Sequence, residues 1–442
     1  MITDLPALQT ADVPVISGMT VNEARGWPLA GRIGFRWFAC YFTLYLLQFV
    51  FDLPGLSKLS GAFEAATLPW IGRTFFGLQS VPTGSPSGSG DTLADYLLTF
   101  MFAVLASVGA ALWTIRRDAP SHPRIAIWLL SAIRYFLAMA LMFYGLAKVF
   151  MSQMPPPDGF RLTQTFGDLS PMGLLWAFTG ASRTYEVFGG LAELVPGALL
   201  VFRRSSLLGA LLAVPVLVNV VLLNFSYDVP VKLLSTHLLV MALAIVSPHA
   251  RRLYAAIWAN TTVPPANMTP PVTDGRLLVV RQVMQWGALL FVAGSAAFMV
   301  PSRSDRAIPR AGNGAWRVES LTGTPRRGMW ESLVIDGQRA RLKHSTGSAQ
   351  WLALSRVDST MLRLWSQDDN GIGGTSVPMQ LTGELRGAGR SSVGTPRVAD
   401  TLLLRGVQGG DSVRAVLVRR DLQKMLLVSR GFHWVQEVPY NR

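Results

Sequence analysis

Six ionisable side chains interrupt stretches that are otherwise apolar: Arg134, Lys148, Glu186, Glu193, Lys232 and His237. A charge at mid-bilayer costs roughly 2.5–3.5 kcal/mol even on insertion scales, so such groups face a bundle interior or a watery cavity. Spacing sorts them further. Glu186 and Glu193 are seven apart and fall within about 20° on one helix face. Gly189, Gly190 and Ala192 between them would let a neighbouring helix come close. Tyr144 and Lys148 are four apart and share a stripe. Asn219 and Asn224, like Lys232 and His237, are five apart, about 140° around, and do not.

The chemistry expected from this set is proton exchange and hydrogen bonding inside a membrane. Glu193, the deepest acid, is a candidate proton carrier, and Lys148 or Lys232 a donor to a ligand oxygen. Tyr144, Glu186, Asn219, Asn224, Asp228, His237 and Asp91 are the candidate ligand-binding groups around that catalytic trio. The simplest arrangement is one polar pocket in the outer half of a bundle. Competing structural roles are plain for some members. Lys148, Asp228 and Lys232 are shallow enough to reach the interface, and Asn219 can join helices by hydrogen bonds. His237 is the sole histidine within a span, so two histidines of one chain cannot clasp a haem there, and no metal site is expected. A single cysteine, Cys40, excludes an internal disulfide, a CxxC pair and a cysteine-ligated cluster. No intrinsic cofactor is expected, and any electron carrier must come from a partner.

Seven apolar runs must position these residues, near 33–52, 96–115, 125–151, 184–202, 206–225, 230–247 and 284–300. Each is about the 17–25 residues that cross a hydrocarbon core. Half of the 442 residues are hydrophobic and only 15% are charged, against about 25% in soluble proteins. A mean hydropathy of only +0.34 indicates an apolar part joined to an ordinary polar part. Residues 1–31 lack an h-region with a cleavage site, so the first span is expected to serve as the targeting signal. Arg116, Arg117 and Arg124, Arg203 and Arg204, and Arg251 and Arg252 fall on one side of seven spans, with Arg25, Arg32 and Arg36 of the N-terminal segment. The positive-inside rule makes that side the cytoplasm and puts the loops at 53–95 and 152–183, and everything beyond 301, outside.

The outer loops carry structure of their own. Residues 63–78 read as an interfacial helix and 171–178 as a short re-entrant or interfacial piece. Asp91 or Thr92 is placed to cap the second membrane helix, and Asp228 with Pro230 to make the turn that aims Lys232 into the pocket. Residues 312–442 change character: about eight short alternating runs separated by Gly, Asp and Asn predict a small antiparallel barrel or sandwich. Over 302–442, Lys and Arg exceed Asp and Glu by roughly nine of the chain's net +14. Such a domain suits anionic head groups or an acidic protein partner, and nucleic acid is a poor fit outside the cytoplasm. The expected organisation is a cytoplasmic segment 1–32, a transmembrane bundle 33–260, a linker 261–283, a last membrane helix 284–301 and an extracytoplasmic β-rich domain 302–442.

Three stretches, "RYFLAMALMFYGLAKVF" (134–150), "FGGLAELVPGALLVFRR" (188–204) and "NFSYDVPVKLLSTHLL" (224–239), resemble the bacterial DoxX family. "SGSGDTLADY" (87–96) and the ending "SRGFHWVQEVPYNR" (429–442) resemble a longer branch of it with an added C-terminal domain. The resemblance covers spans one to six and the extreme C-terminus. It implies a mainly α membrane protein with a four-helix core, linked with thiosulfate:quinone oxidoreduction or oxidative-stress complexes. It also implies a fold similar to the membrane part of vitamin K-dependent carboxylases, where a lysine acts as base towards a quinol-derived intermediate. The leading expectation is therefore an inner-membrane, redox-linked subunit that binds a diffusible quinone or related isoprenoid. The alternatives are a transporter or lipid-handling protein, and a scaffold that displays its basic β-domain to an extracytoplasmic partner.

Overall fold

A computed structural model describes residues 27–53, 55–83, 89–116, 119, 121–263, 275–299, 312–323, 328–358, 360–366, 379–387, 389–390, 396–397 and 399–429. The expected endings at 1–26 and 430–442, and residues 264–274 of the expected 261–283 linker, lie outside the described residues, and the rest of that linker from Gly275 is already helical. The chain divides into two compact units, one of Met1–Gln153 with Val187–Met299, the other of Met154–Glu186 with Val300–Arg442.

The first unit is helical. Its elements are α1 (Leu29–Phe51), α2 (Ser57–Phe76), α3 (Leu93–Arg116) and α4 (Pro123–Val149). After the loop come α7 (Arg183–Val201), which begins in the other unit, then α8 (Ser206–Ser226), α9 (Lys232–Val246) and α11 (Gly275–Met299). Past Val246 the helical path continues through a tight turn, the short α10 (Ala250–Leu253) and a π-turn to Trp258. Among the described residues seven helical stretches are long and apolar enough to cross a membrane, and they match the seven apolar runs. The remaining long helix, α2, packs on α1 and α3. It ends where Gly77 turns left-handed at φ 64° and returns its N–H to the Arg73 carbonyl.

The start of α3 is fixed by a reciprocal cap. Asp95 accepts the Thr92 N–H at 2.8 Å, while the Asp95 N–H reaches the Thr92 hydroxyl at 3.2 Å. The core joins α1, α3, α4 and α9, with Phe42, Leu137, Leu141 and Met241 essentially enclosed. Lipid tails are as apolar as leucine, so close backbone approach must hold such helices together. A Cβ on Gly190 of α7 would stand 2.7 Å from the Gly145 carbonyl oxygen of α4, and one on Gly197 2.8 Å from Met142. The two helices run antiparallel through these contacts.

The second unit contains a closed barrel of eight antiparallel strands. They are β1 (Gly314–Thr322), β2 (Trp330–Asp336), β3 (Arg339–His344), β4 (Ala349–Arg356), β5 (Met361–Ser366) and β6 (Met379–Arg386), then β9 (Thr401–Gln408) and β10 (Asp411–Arg420). A two-stranded excursion, β7 (Gly389–Arg390) with β8 (Pro396–Arg397), interrupts the meander. Pairing of β1 with β10 closes the ring. Alternation is clear in β3 and β4, where Ala340, Leu342, Leu352 and Leu354 point inward. Burying each such leucine contributes about 1.5–3 kcal/mol. Gly409 and Gly410, both at positive φ, make the two-residue turn between β9 and β10.

The same unit includes the loop after α4. There α5 (Gly159–Leu162) packs on β1 and β2, Phe160 meets Trp351 at 5.2 Å between ring centres, and α6 (Pro171–Gly180) begins at a Ser170 cap. The stretch expected to be a short re-entrant or interfacial piece is this α6 helix.

Candidate functional site

Two residues on facing helices make the central contact. Lys148 Nζ lies 2.8 Å from both carboxylate oxygens of Glu193, and the two side chains are only 13% and 5% exposed. The glycines explain how. Gly145 and Gly190 let the backbones of α4 and α7 touch, and the Lys148 stem runs past Gly189, its Cδ 4.0 Å from where a Cβ would stand there, to reach the carboxylate. Tyr144, one turn before Lys148, has its ring centre 6.0 Å from the amine.

A second buried group lies between α9 and α1. His237 of α9 is 8% exposed and stacks on Tyr45 with ring centres 4.0 Å apart. Its Nε2 lies 2.7 Å from the Tyr41 hydroxyl and its Nδ1 2.7 Å from the Leu233 carbonyl oxygen. If Nδ1–H donates to that carbonyl, Nε2 accepts from the phenol. Trp37, Tyr41, Tyr45 and Phe49 recur every four residues along α1, and the middle two meet His237 of α9, while Trp37 bonds Ser107 of α3 and Phe49 packs on Phe136 of α4. That four-residue recurrence was the signal available in the sequence for Tyr41 and Tyr45.

The remaining expected site residues are distributed as follows. Asp91 accepts the backbone N–H groups of Lys232 at 2.7 Å and Leu233 at 2.9 Å, so it caps α9 from 141 residues away. Thr92 takes the cap of α3. Lys232 Nζ binds Asp228 Oδ1 at 2.8 Å and lies 3.7 Å from Asp91. Asp228 holds the α8–α9 turn at φ 50°, a strained conformation for a non-glycine. Asn224 is buried in α8, with its Nδ2 donating none of the described hydrogen bonds, whereas Asn219 lies on an exposed face of that helix. Glu186 is fully buried and accepts the Met154 N–H at 3.2 Å within the barrel-containing unit. The described contacts therefore bring Tyr144, Lys148 and Glu193 together, gather Asp91, Asp228 and Lys232 at the head of α9, and place His237 with two tyrosines.

At the far end of α4, His122 precedes the helix and accepts a 3.1 Å hydrogen bond from Arg36 Nε. Burial, then Arg36 and Arg32, hold its pKa below the ordinary value. Trp27, Phe35 and Trp113 surround its ring.

Seven apolar helices with a buried ion pair, followed by an eight-stranded barrel, define a polytopic helical-bundle protein with an appended β-domain. The chain is 36% identical over 124 residues to the Uncharacterized protein YwoB of Bacillus subtilis (strain 168), covering 26% of this chain and 73% of that protein, and it belongs to the same family. No family profile matches the chain, and no solved structure matches it.

Proposed function

We propose that this chain is a multi-pass protein of the bacterial inner membrane whose bundle binds a quinone or related isoprenoid beside Lys148 and Glu193. The ion pair is the observation that carries the reading. An ammonium has three N–H donors, and two go to the Glu193 oxygens, which leaves a third for a ligand oxygen. Glu193 stands where it can take or return a proton, and the Tyr144 ring offers a flat face beside the amine. Tyr41 and His237 extend the hydrogen-bonding groups along the aromatic stripe, and the apolar helix faces suit an isoprenoid tail. The role is that of a DoxX-like, redox-linked subunit, with the electron carrier supplied by a partner.

The N-terminus is cytoplasmic and the barrel extracytoplasmic in this reading. The arginine clusters support it. So does the packing of α5 on β1 and β2, because four candidate spans separate that loop from the barrel and an even number returns the chain to the same side.

Mass spectrometry of lipids and quinones that co-purify in mild detergent tests the proposal. A quinone or polyisoprenoid retained in stoichiometric amount is the expected result. Bulk phospholipid alone would refute it.

A further inference from the structure

We propose that the rim of the β-barrel holds a binding site for an anionic sugar of the uronic acid class, independent of the reading given for the bundle. The barrel interior itself is filled, since Trp316, Leu333, Leu342 and Leu352 are fully enclosed. A cavity of about 480 Å³ instead opens where the β2–β3 turn meets the end of β4 and the start of β5. That is within the roughly 300–1,000 Å³ of ordinary ligand sites.

Its floor is Ile335, Leu354 and Leu362, core residues with no polar atom to offer. Its rim is chemically different. The indole of Trp365 is 42% exposed beside the cavity, a large apolar face left at the surface. Arg356 makes no ion pair among the described residues, so its guanidinium is available to a carboxylate as a two-pronged donor. Two carboxamides complete the rim. Asn313 donates to Asp336 at 3.3 Å while its side-chain oxygen accepts none of the described hydrogen bonds, and Gln338 is exposed.

Each group answers one part of a uronic acid. An aromatic plane covers the C–H face of a pyranose, a guanidinium pairs with the carboxylate, and carboxamides both donate to and accept from vicinal hydroxyls. A fatty acid fits less well, because the closed leucine and isoleucine floor gives an acyl chain nowhere to extend. The positive excess of the domain adds long-range attraction for polyanionic glycans.

The test is saturation-transfer NMR and equilibrium binding on the full-length protein in detergent, with a galacturonic acid trisaccharide and its neutral galactose counterpart. The acidic sugar should bind and the neutral one should bind at least about tenfold more weakly. Arg356→Gln should remove that preference. Trp365→Ala should abolish transfer, and Trp365→Phe, which keeps an aromatic face, should restore part of it. Both side chains are exposed, so the melting temperature should stay unchanged. Equal binding of both sugars, indifference to Arg356→Gln, absence of binding, or displacement of the sugar by laurate would each overturn the assignment.

Discussion

Lys148 and Glu193 balance their charges at 2.8 Å in an apolar bundle, and neither would be tolerable there alone. The sequence had left two amines, Lys148 and Lys232, as possible partners for that acid. Helical phase cannot choose between them, because the choice depends on which helices touch. The same blindness hid the Tyr41–His237 bond and the cap that Asp91 lends to α9, since each joins residues more than a hundred positions apart. Residue chemistry does give one prediction outside the spans. His122 prefers its neutral form in the folded protein, where its Nε2 accepts from Arg36. Its folded pKa lies below the ordinary 6.5, so its contribution to stability is complete above 6.5 and is lost as the pH falls from there through the lower folded pKa. Thermal melts in detergent from pH 8 to pH 5 should show wild type losing more stability than His122→Asn. Parallel pH profiles for the two proteins would contradict the account.

The helices themselves were legible because a long apolar run has few alternatives in a bilayer. Their contacts were less so. Gly189 and Gly190 suggested a close neighbour, yet only the structure shows that it is Gly145 of α4 and that the crossing brings the ion pair within reach. Gly190→Ala would push a methyl to 2.7 Å from a backbone oxygen and 2.9 Å from the Val149 nitrogen, neither of which can swing aside. Such overpacking should cost about 1–3 kcal/mol, seen as a lower melting temperature in detergent. Gly34→Ala, where nothing lies within 4 Å, is the control and should be close to neutral. A stable Gly190→Ala variant would mean that α4 and α7 do not depend on this contact. Among the strands, alternation foretold about eight of them but could not separate barrel from sandwich. Closure depends on β1 meeting β10, about a hundred residues later.

For the molecule as a whole, hydropathy and charge divided the chain near residue 301, and the barrel does follow the last long helix. What composition could not reveal is that Met154–Glu186 belongs to the same compact unit as the barrel, because that loop carries no β signature of its own. The barrel has a core and a closed hydrogen-bonded ring, so a fragment of residues 305–442 should give a β-type far-UV spectrum and a cooperative melt. Reporter fusions at Arg204 and Arg252 should be cytoplasmic, and one after Arg442 extracytoplasmic. A cytoplasmic C-terminal reporter would remove or add a span and reverse the proposed placement of the barrel.

The central claim is that the buried pair belongs to a working ligand site, and a double-mutant cycle tests it most directly. Glu193→Gln, Lys148→Met and the double variant would be compared for thermal stability and for co-purified quinone or isoprenoid. Removing one charge from a buried pair costs on the order of 3–5 kcal/mol, whereas removing both leaves no orphan. The account predicts that each single variant melts well below wild type, that the double variant recovers part of the loss, and that all three lose the ligand. Wild-type stability together with wild-type ligand content in Glu193→Gln would contradict it.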